Sequence, residues 1–156
     1  MSSSSGLPDS QPQLGRLEAI WVKRSHSGSM DPVESAVLAK GQGIVGNADQ
    51  GGWRQVTLLS SEQWAKAVGR DVSPQIRRAN LLVSGINLYE SRNWKVKIAG
   101  NEMLVRGETK PCKLMDELKP GLQEALRPNW GGGAYAQVLS DGEIKVGDEV
   151  ILLPPD

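Results

Sequence analysis

Cysteine, histidine and phenylalanine are almost missing from this 156-residue chain, which has one Cys, one His and no Phe. A single cysteine, Cys112, excludes an internal disulfide and any structural zinc site built on paired cysteines, and it suits a reducing cytoplasm, the expected location. A single histidine, His26, excludes a multi-histidine metal centre. Net charge is also lacking: 18 basic and 18 acidic residues cancel, and the pI is about 6.6. Bulk charge therefore gives no reason to expect nucleic acid or an anionic membrane as partner. No apolar run approaches the roughly 20 residues that cross a bilayer. The opening "MSSSSGLPDSQPQ" has neither the basic start nor the apolar core of a secretory signal. Its Ser, Pro and Gln content predicts a disordered tail over residues 1–13.

What is present reads as one domain over residues 14–156, long enough to bury a core. "GRLEAIWVKR", "SAVLAK", "RQVTLLS" and "ANLLVSG" are expected strands. Gly28 and the Asp31-Pro32 pair predict a turn between the first two. "GQGIVGNADQGGW" holds five glycines in thirteen residues and is expected to be a loop. Ser60, with Gln63 three residues on, marks the start of a helix that runs to Gly69. "WKVKIAG" and "EMLVRGE" form a hairpin turning at Gly100-Asn101, and two short helical turns between Thr109 and Leu126 are interrupted by Pro120-Gly121. "AYAQVLS", "EIKV" and "DEVILL" complete the strands. The whole predicts a mainly β fold, an irregular β-barrel with two or three short helices.

Chemistry centres on "ETKPCKLM". A lone cysteine is most often a small buried hydrophobe. Here Thr109 reads as an N-cap and Pro111 as a first-turn residue, which would set Cys112 near the positive end of a helix dipole. Lys110, Lys113 and Arg106 add positive charge, so the pattern favours a thiolate able to attack an electrophile, carry sulfur or bind a soft metal. Acyl transfer ranks lower, because His26 in a polar loop is the only imidazole available as a base. Arg24, Arg54, Arg77, Arg78, Asn80 and Arg127 fall in loops or at strand starts, where guanidinium forks suit phosphate or carboxylate. The Gly-rich segments 41–52 and 131–133 can bring backbone N–H groups near an anion. Neither matches a P-loop or a dinucleotide fingerprint. The five tryptophans read as core and rim packing.

Taken in order, "GQGIVGNADQGGWRQVTLLS", "RRANLLVSGINL", "VRGETKPCKLM" and "GGGAYAQVLSDGEIKVGDEVIL" resemble the MOSC family, named for the C-terminal domain of molybdenum-cofactor sulfurases. The resemblance covers nearly the whole chain after residue 14 and implies an irregular β-barrel. It also implies a molybdenum cofactor (molybdopterin) as ligand, with Cys112 as catalytic residue and thiolate ligand of molybdenum. Arg54, Arg78, Asn80, Thr109 and Lys113 are the implied cofactor-binding residues, Arg78 and Asn80 through a recurrent Arg-x-Asn. The implied chemistry is reduction of N-hydroxylated substrates with electrons from a redox partner, or sulfur transfer involving a sulfur-donor protein. Two other readings stand beside it, a metal-free carrier holding a persulfide on Cys112 and a non-catalytic binding module. One departure is marked: Gly46-Asn47-Ala48-Asp49 stands where many stand-alone members read Gly-Asp-x-His.

Overall fold

The computed structural model describes residues 11–26 and 28–156, so most of the tail expected over 1–13 lies outside the described residues. Strand β1 (Gln13–Lys23) opens the fold, followed by β2 (Met30–Val33), β3 (Ser35–Ala39), β4 (Gly43–Ile44) and β5 (Val56–Ser60). Helix α1 (Ser61–Val68) and a 3₁₀ turn (Pro74–Arg77) lead to β6 (Leu81–Ser84), β7 (Lys95–Ile98) and β8 (Asn101–Glu108). Helices α2 (Leu114–Leu118) and α3 (Leu122–Leu126) precede a 3₁₀ turn (Pro128–Trp130), β9 (Ala134–Val138), β10 (Gly142–Lys145) and β11 (Glu149–Leu153).

Seven strands close into a barrel in the order β11-β7-β8-β9-β5-β6-β1, sealed by antiparallel pairing of β1 with β11. Strand β2 extends β1 outside that ring, and β10-β3-β4 form a separate three-stranded sheet. All pairings are antiparallel except β5 with β6, whose crossover carries α1, as a parallel connection requires. The expected mainly β barrel with short helices is thus the observed architecture.

Period-two alternation builds the interior. Along β8, Asn101, Met103, Val105 and Gly107 are buried while their neighbours are half-exposed, which is the pleat turning alternate side chains inward. Leu17, Leu38, Ile44, Leu58, Leu81, Ile98, Met103 and Leu152 join one cluster of fully buried side chains. Leu59, Trp64, Ala79, Met115, Leu122 and Leu126 form a second cluster that seats the helices against the barrel. The α1 start is as the sequence specifies: the Ser60 hydroxyl accepts from Gln63 N at 3.1 Å, satisfying one of the orphan N–H groups of a helix start. No helix among the described residues is long and apolar enough to cross a membrane.

Two local expectations change. Asp31-Pro32 lies within β2, with Pro32 opposite Trp21. Strand β2 pairs only with β1, and an edge strand has a side on which a missing N–H costs nothing. The β7–β8 hairpin turns one residue earlier, at Ala99-Gly100, where both residues have positive φ, as the favoured two-residue hairpin turn demands.

Candidate functional site

The Cys112 segment differs from the sequence expectation. Helix α2 begins at Leu114, its N-cap position is Lys113, and no side chain caps it. Cys112 therefore stands just ahead of the helix, its carbonyl accepting from Met115 N at 2.9 Å as the entry turn forms. Thr109 continues the sheet, its N–H donating to Gly133 O at 2.9 Å, and its hydroxyl caps no helix. Pro111 then disfavours helical angles at Lys110. Cys112 is exposed and unpaired among the described residues, with exposed Lys110 and Lys113 on either side. The Thr109 side chain is 3% exposed, and its hydroxyl has no hydrogen-bond partner among the described residues.

Arg77 holds this segment in place. Its Nε donates to Gly132 O at 2.9 Å and its Nη2 to Thr109 O at 2.9 Å, so one buried guanidinium ties the exit of β8 to the approach of β9. Gly132 is needed for this closeness, since a Cβ there would sit 2.5 Å from Thr109 O and 3.1 Å from Arg77 Nη2. Burial, then repulsion from Arg54, pushes the Arg77 pKa down to about 10, and attraction to Cys112 works in the opposite sense. Arg77 is thus fully cationic at neutral pH and stands within electrostatic reach of both Arg54 and the thiol.

Three of the expected residues meet in a neighbouring cleft of about 320 Å³, lined by Lys23, Asp49, Arg54, Thr57, Arg78 and Asn80. Arg54 is exposed, and its guanidinium lies 5.9 Å from the centroid of the Tyr135 ring. Arg78 takes left-handed angles, φ 65 and ψ 33, at the end of the 3₁₀ turn. Its Nη1 donates to Gly28 O at 2.7 Å and its Nη2 to His26 O at 3.4 Å, so it anchors the β1–β2 turn to the cleft. Asn80 is 5% exposed and fully committed within the protein. Its Oδ1 accepts from Thr57 N and Oγ1, and its Nδ2 donates to Trp21 O and Asn47 Oδ1. The side chain fixes three segments of the cleft wall.

The departing motif has a structural role of its own. Asn47 Oδ1 accepts from Lys23 N at 2.8 Å as well as from Asn80, which fixes its amide orientation and leaves Nδ2 buried without a partner among the described residues. Asp49 Oδ2 pairs with Lys23 Nζ at 2.7 Å, and its Oδ1 lies 3.4 Å from His26 Nδ1. The chain's one imidazole thus meets the residue occupying the motif's histidine position, reached through space from another loop. Among the described residues no group of three or more His, Cys, Asp or Glu gathers as a metal site.

The arrangement joins an exposed thiol to a run of cations. Arg54, Arg78 and Asn80 share the cleft, Cys112, Thr109 and Lys113 occupy another segment, and Arg77, bonded to Thr109 O, feels the charges of both Arg54 and Cys112. A second hollow, about 380 Å³, lies along that segment and is lined by Glu108, Lys110, Pro111, Gln123 and Arg127. A larger hollow, about 520 Å³, surrounds Gln13, Gly85 and Tyr89 and touches none of the expected site residues. Positive charge gathers in the cleft of Lys23, Arg54 and Arg78, and Cys112 is not among the residues that line it. Lys23, Thr57 and Asp49 were not singled out as ligand contacts in the sequence. Arg77 was seen only as one of several loop arginines, since its acceptors lie 55 and 32 residues away.

Fold and site together define a small closed β-barrel with a cysteine-bearing rim beside a cationic cleft. The sequence profile of the MOSC domain matches residues 51–151, and the chain belongs to that family. Comparison with curated proteins finds no match. Among solved structures, the YuaD protein from Bacillus subtilis superposes with a TM-score of 0.75 at 20% identity, covering 91% of this chain and 97% of that one. YiiM from Geobacillus stearothermophilus gives 0.68 at 18% identity, covering 89% and 75%. YiiM from Escherichia coli gives 0.66 at 14% identity, covering 90% and 71%. At these identities the likeness speaks for the fold.

Proposed function

We propose that this protein binds molybdenum cofactor at the Cys112 rim, with the Cys112 thiolate as the protein ligand to molybdenum. The single observation that carries the reading is an exposed thiol whose charge, like that of the cleft residue Arg54, is felt by the same buried Arg77. The donor set fits the group: a soft thiolate suits the metal, and guanidinium forks suit the phosphate of the pterin. The unpaired Thr109 hydroxyl beside the thiol segment adds a hydrogen-bonding group that no protein atom among the described residues satisfies. When bound, the cofactor supplies two-electron chemistry and sulfur exchange. The chain's own part is to hold. Arg77 fixes the backbone on which Cys112 sits, Asn80 fixes the cleft wall, and Arg54 and Arg78 offer positive charge. The activity on this reading is reduction of N-hydroxylated substrates with electrons from a redox partner protein, or sulfur delivery to the cofactor.

The test is expression in a host that makes the cofactor, followed by assay of bound molybdenum and pterin. Wild-type protein is expected to carry both, with Cys112→Ser depleted. Metal at background in wild type overturns the reading. The exposure of Cys112 favours one second reading, a metal-free carrier in which the thiolate takes the terminal sulfur of a donor persulfide, leaving a Cys112 persulfide and a donor thiolate. A labile gain of one sulfur on the Cys112 peptide, seen by mass spectrometry in metal-free protein, selects it.

A further inference from the structure

Beside the cleft lies a surface that, Arg54 apart, the proposed cofactor role does not use. Trp53 is 58% exposed, the most exposed aromatic side chain among the described residues. One face of its indole is covered by the guanidinium of Arg106, whose Cζ stands 3.7 Å from the ring centroid. The next residue, Arg54, reaches over the Tyr135 ring and lines the cleft. Strands β8 and β9 bring these pairs together. Gly107 stands opposite Tyr135, and Arg106 is the irregular position between the paired residues Val105 and Gly107. Gly107 also makes room for the ring, because a Cβ there would lie 2.8 Å from the Tyr135 hydroxyl. Trp53, Arg106, Tyr135 and Arg54 therefore form one shelf, and the chain leaves the end of β8 at Glu108 for Thr109 and Cys112.

The charges on this shelf lack counterions. Neither Arg54 nor Arg106 forms an ion pair among the described residues, although six such pairs exist elsewhere. The Nε of Arg106 is buried with no acceptor among the described residues. An indole held flat by a cation on one side presents its other side to solvent. Such a face stacks a planar ring, and the adjacent guanidinium pairs with an anionic substituent on that ring. The Trp53 loop is itself braced, since Gly52 O accepts from both Gln55 Nε2 at 2.8 Å and Gln137 Nε2 at 2.9 Å.

We infer that the Trp53–Arg106–Tyr135–Arg54 shelf is a binding subsite for a planar aromatic ring carrying an anionic group, presented toward the Cys112 rim. Trp53 selects for flatness and Arg54 for negative charge. The inference goes beyond the cofactor reading and concerns residues that reading does not require to stack.

The test uses cofactor-free, full-length protein and two probes of similar size, benzoate and cyclohexanecarboxylate, which differ in flatness but share the carboxylate. Affinities are read from the movement of backbone amide and indole N–H resonances on titration. Wild type is expected to bind benzoate about three- to tenfold more tightly, with the largest movements at Trp53, Arg54 and Gly107. Trp53→Leu brings the ratio to about one while keeping weak carboxylate binding. Arg54→Gln weakens both probes together and keeps the ratio. Trp53 is exposed, so its variant folds, which an unchanged thermal melt checks. Equal affinities in wild type, no binding of either probe, or a preference that survives in Trp53→Leu overturns the inference. Because no metal is involved, these outcomes are separate from the molybdenum assay.

Discussion

The barrel interior and the rim that carries Cys112 are held together by different physics. In the interior, Leu17, Leu58, Leu81, Val105 and Leu152 exclude water from one continuous cluster, and any residue of similar volume and polarity serves nearly as well. At the rim, three polar side chains do the fastening. Asn80 binds Thr57, Trp21 and Asn47, Arg77 binds Thr109 and Gly132, and Arg78 binds Gly28 and His26. Each reaches a backbone carbonyl far away in the chain, so the rim's shape depends on directed bonds and tolerates no apolar stand-in. The comparison teaches that shape and site are separable here, and mutations can injure one without the other.

The largest effect falls on the interior. Leu58→Ala removes a fully buried side chain and is expected to cost about 2–5 kcal/mol in urea unfolding, with hydrogen exchange accelerated throughout the barrel. A loss below 1 kcal/mol would blur the distinction. Next is Asn80→Ala, which strips partners from Thr57 N and Asn47 and is expected to cost about 2–3 kcal/mol. Its exchange signature should differ, concentrating in residues 41–57 and 78–82 rather than spreading around the barrel.

Arg77→Met sharpens the comparison further. Folding lowers this pKa from its ordinary value to about 10, so in the unfolded chain the group binds its proton more tightly. Its burial therefore opposes folding below pH 10, and that cost fades as pH rises through the window between the two values. The variant escapes the cost and loses two hydrogen bonds, so its stability at pH 7 should lie within about 1 kcal/mol of wild type. Amide exchange over residues 109–113 should nevertheless rise at least tenfold, and cofactor retention should fall. Smallest is Cys112→Ser, whose exposed position predicts a melting temperature within about 1 °C of wild type, under about 0.5 kcal/mol, while bound molybdenum is lost. A large stability change in that variant would mean that the thiol packs rather than binds.

Legibility in the sequence followed the same division. The barrel could be read because alternation is local: "EMLVRGE" announces its buried and open faces within seven residues. The α1 start at Ser60 and Gln63 was equally local. Cys112 falls two residues ahead of α2 instead of inside its first turn, since Thr109 follows the strand by donating to Gly133 O and does not cap the helix. Arg77 and Arg78 are identical neighbours in sequence, yet one is buried and the other opens on the cleft, since Arg78 itself takes left-handed angles where the 3₁₀ turn ends. The meeting of His26 with Asp49 joins two loops that no spacing rule connects.

The seam between β1 and β11 carries a consequence for synthesis. Gln13 pairs with Leu152 and Arg16 with Glu149, so the ring stays open until β11 has left the ribosome. Until then the first half of β1 and the outer side of β7 are bare edges, each able to recruit a strand from a neighbouring nascent chain. Arrival of one five-residue strand silences both at once.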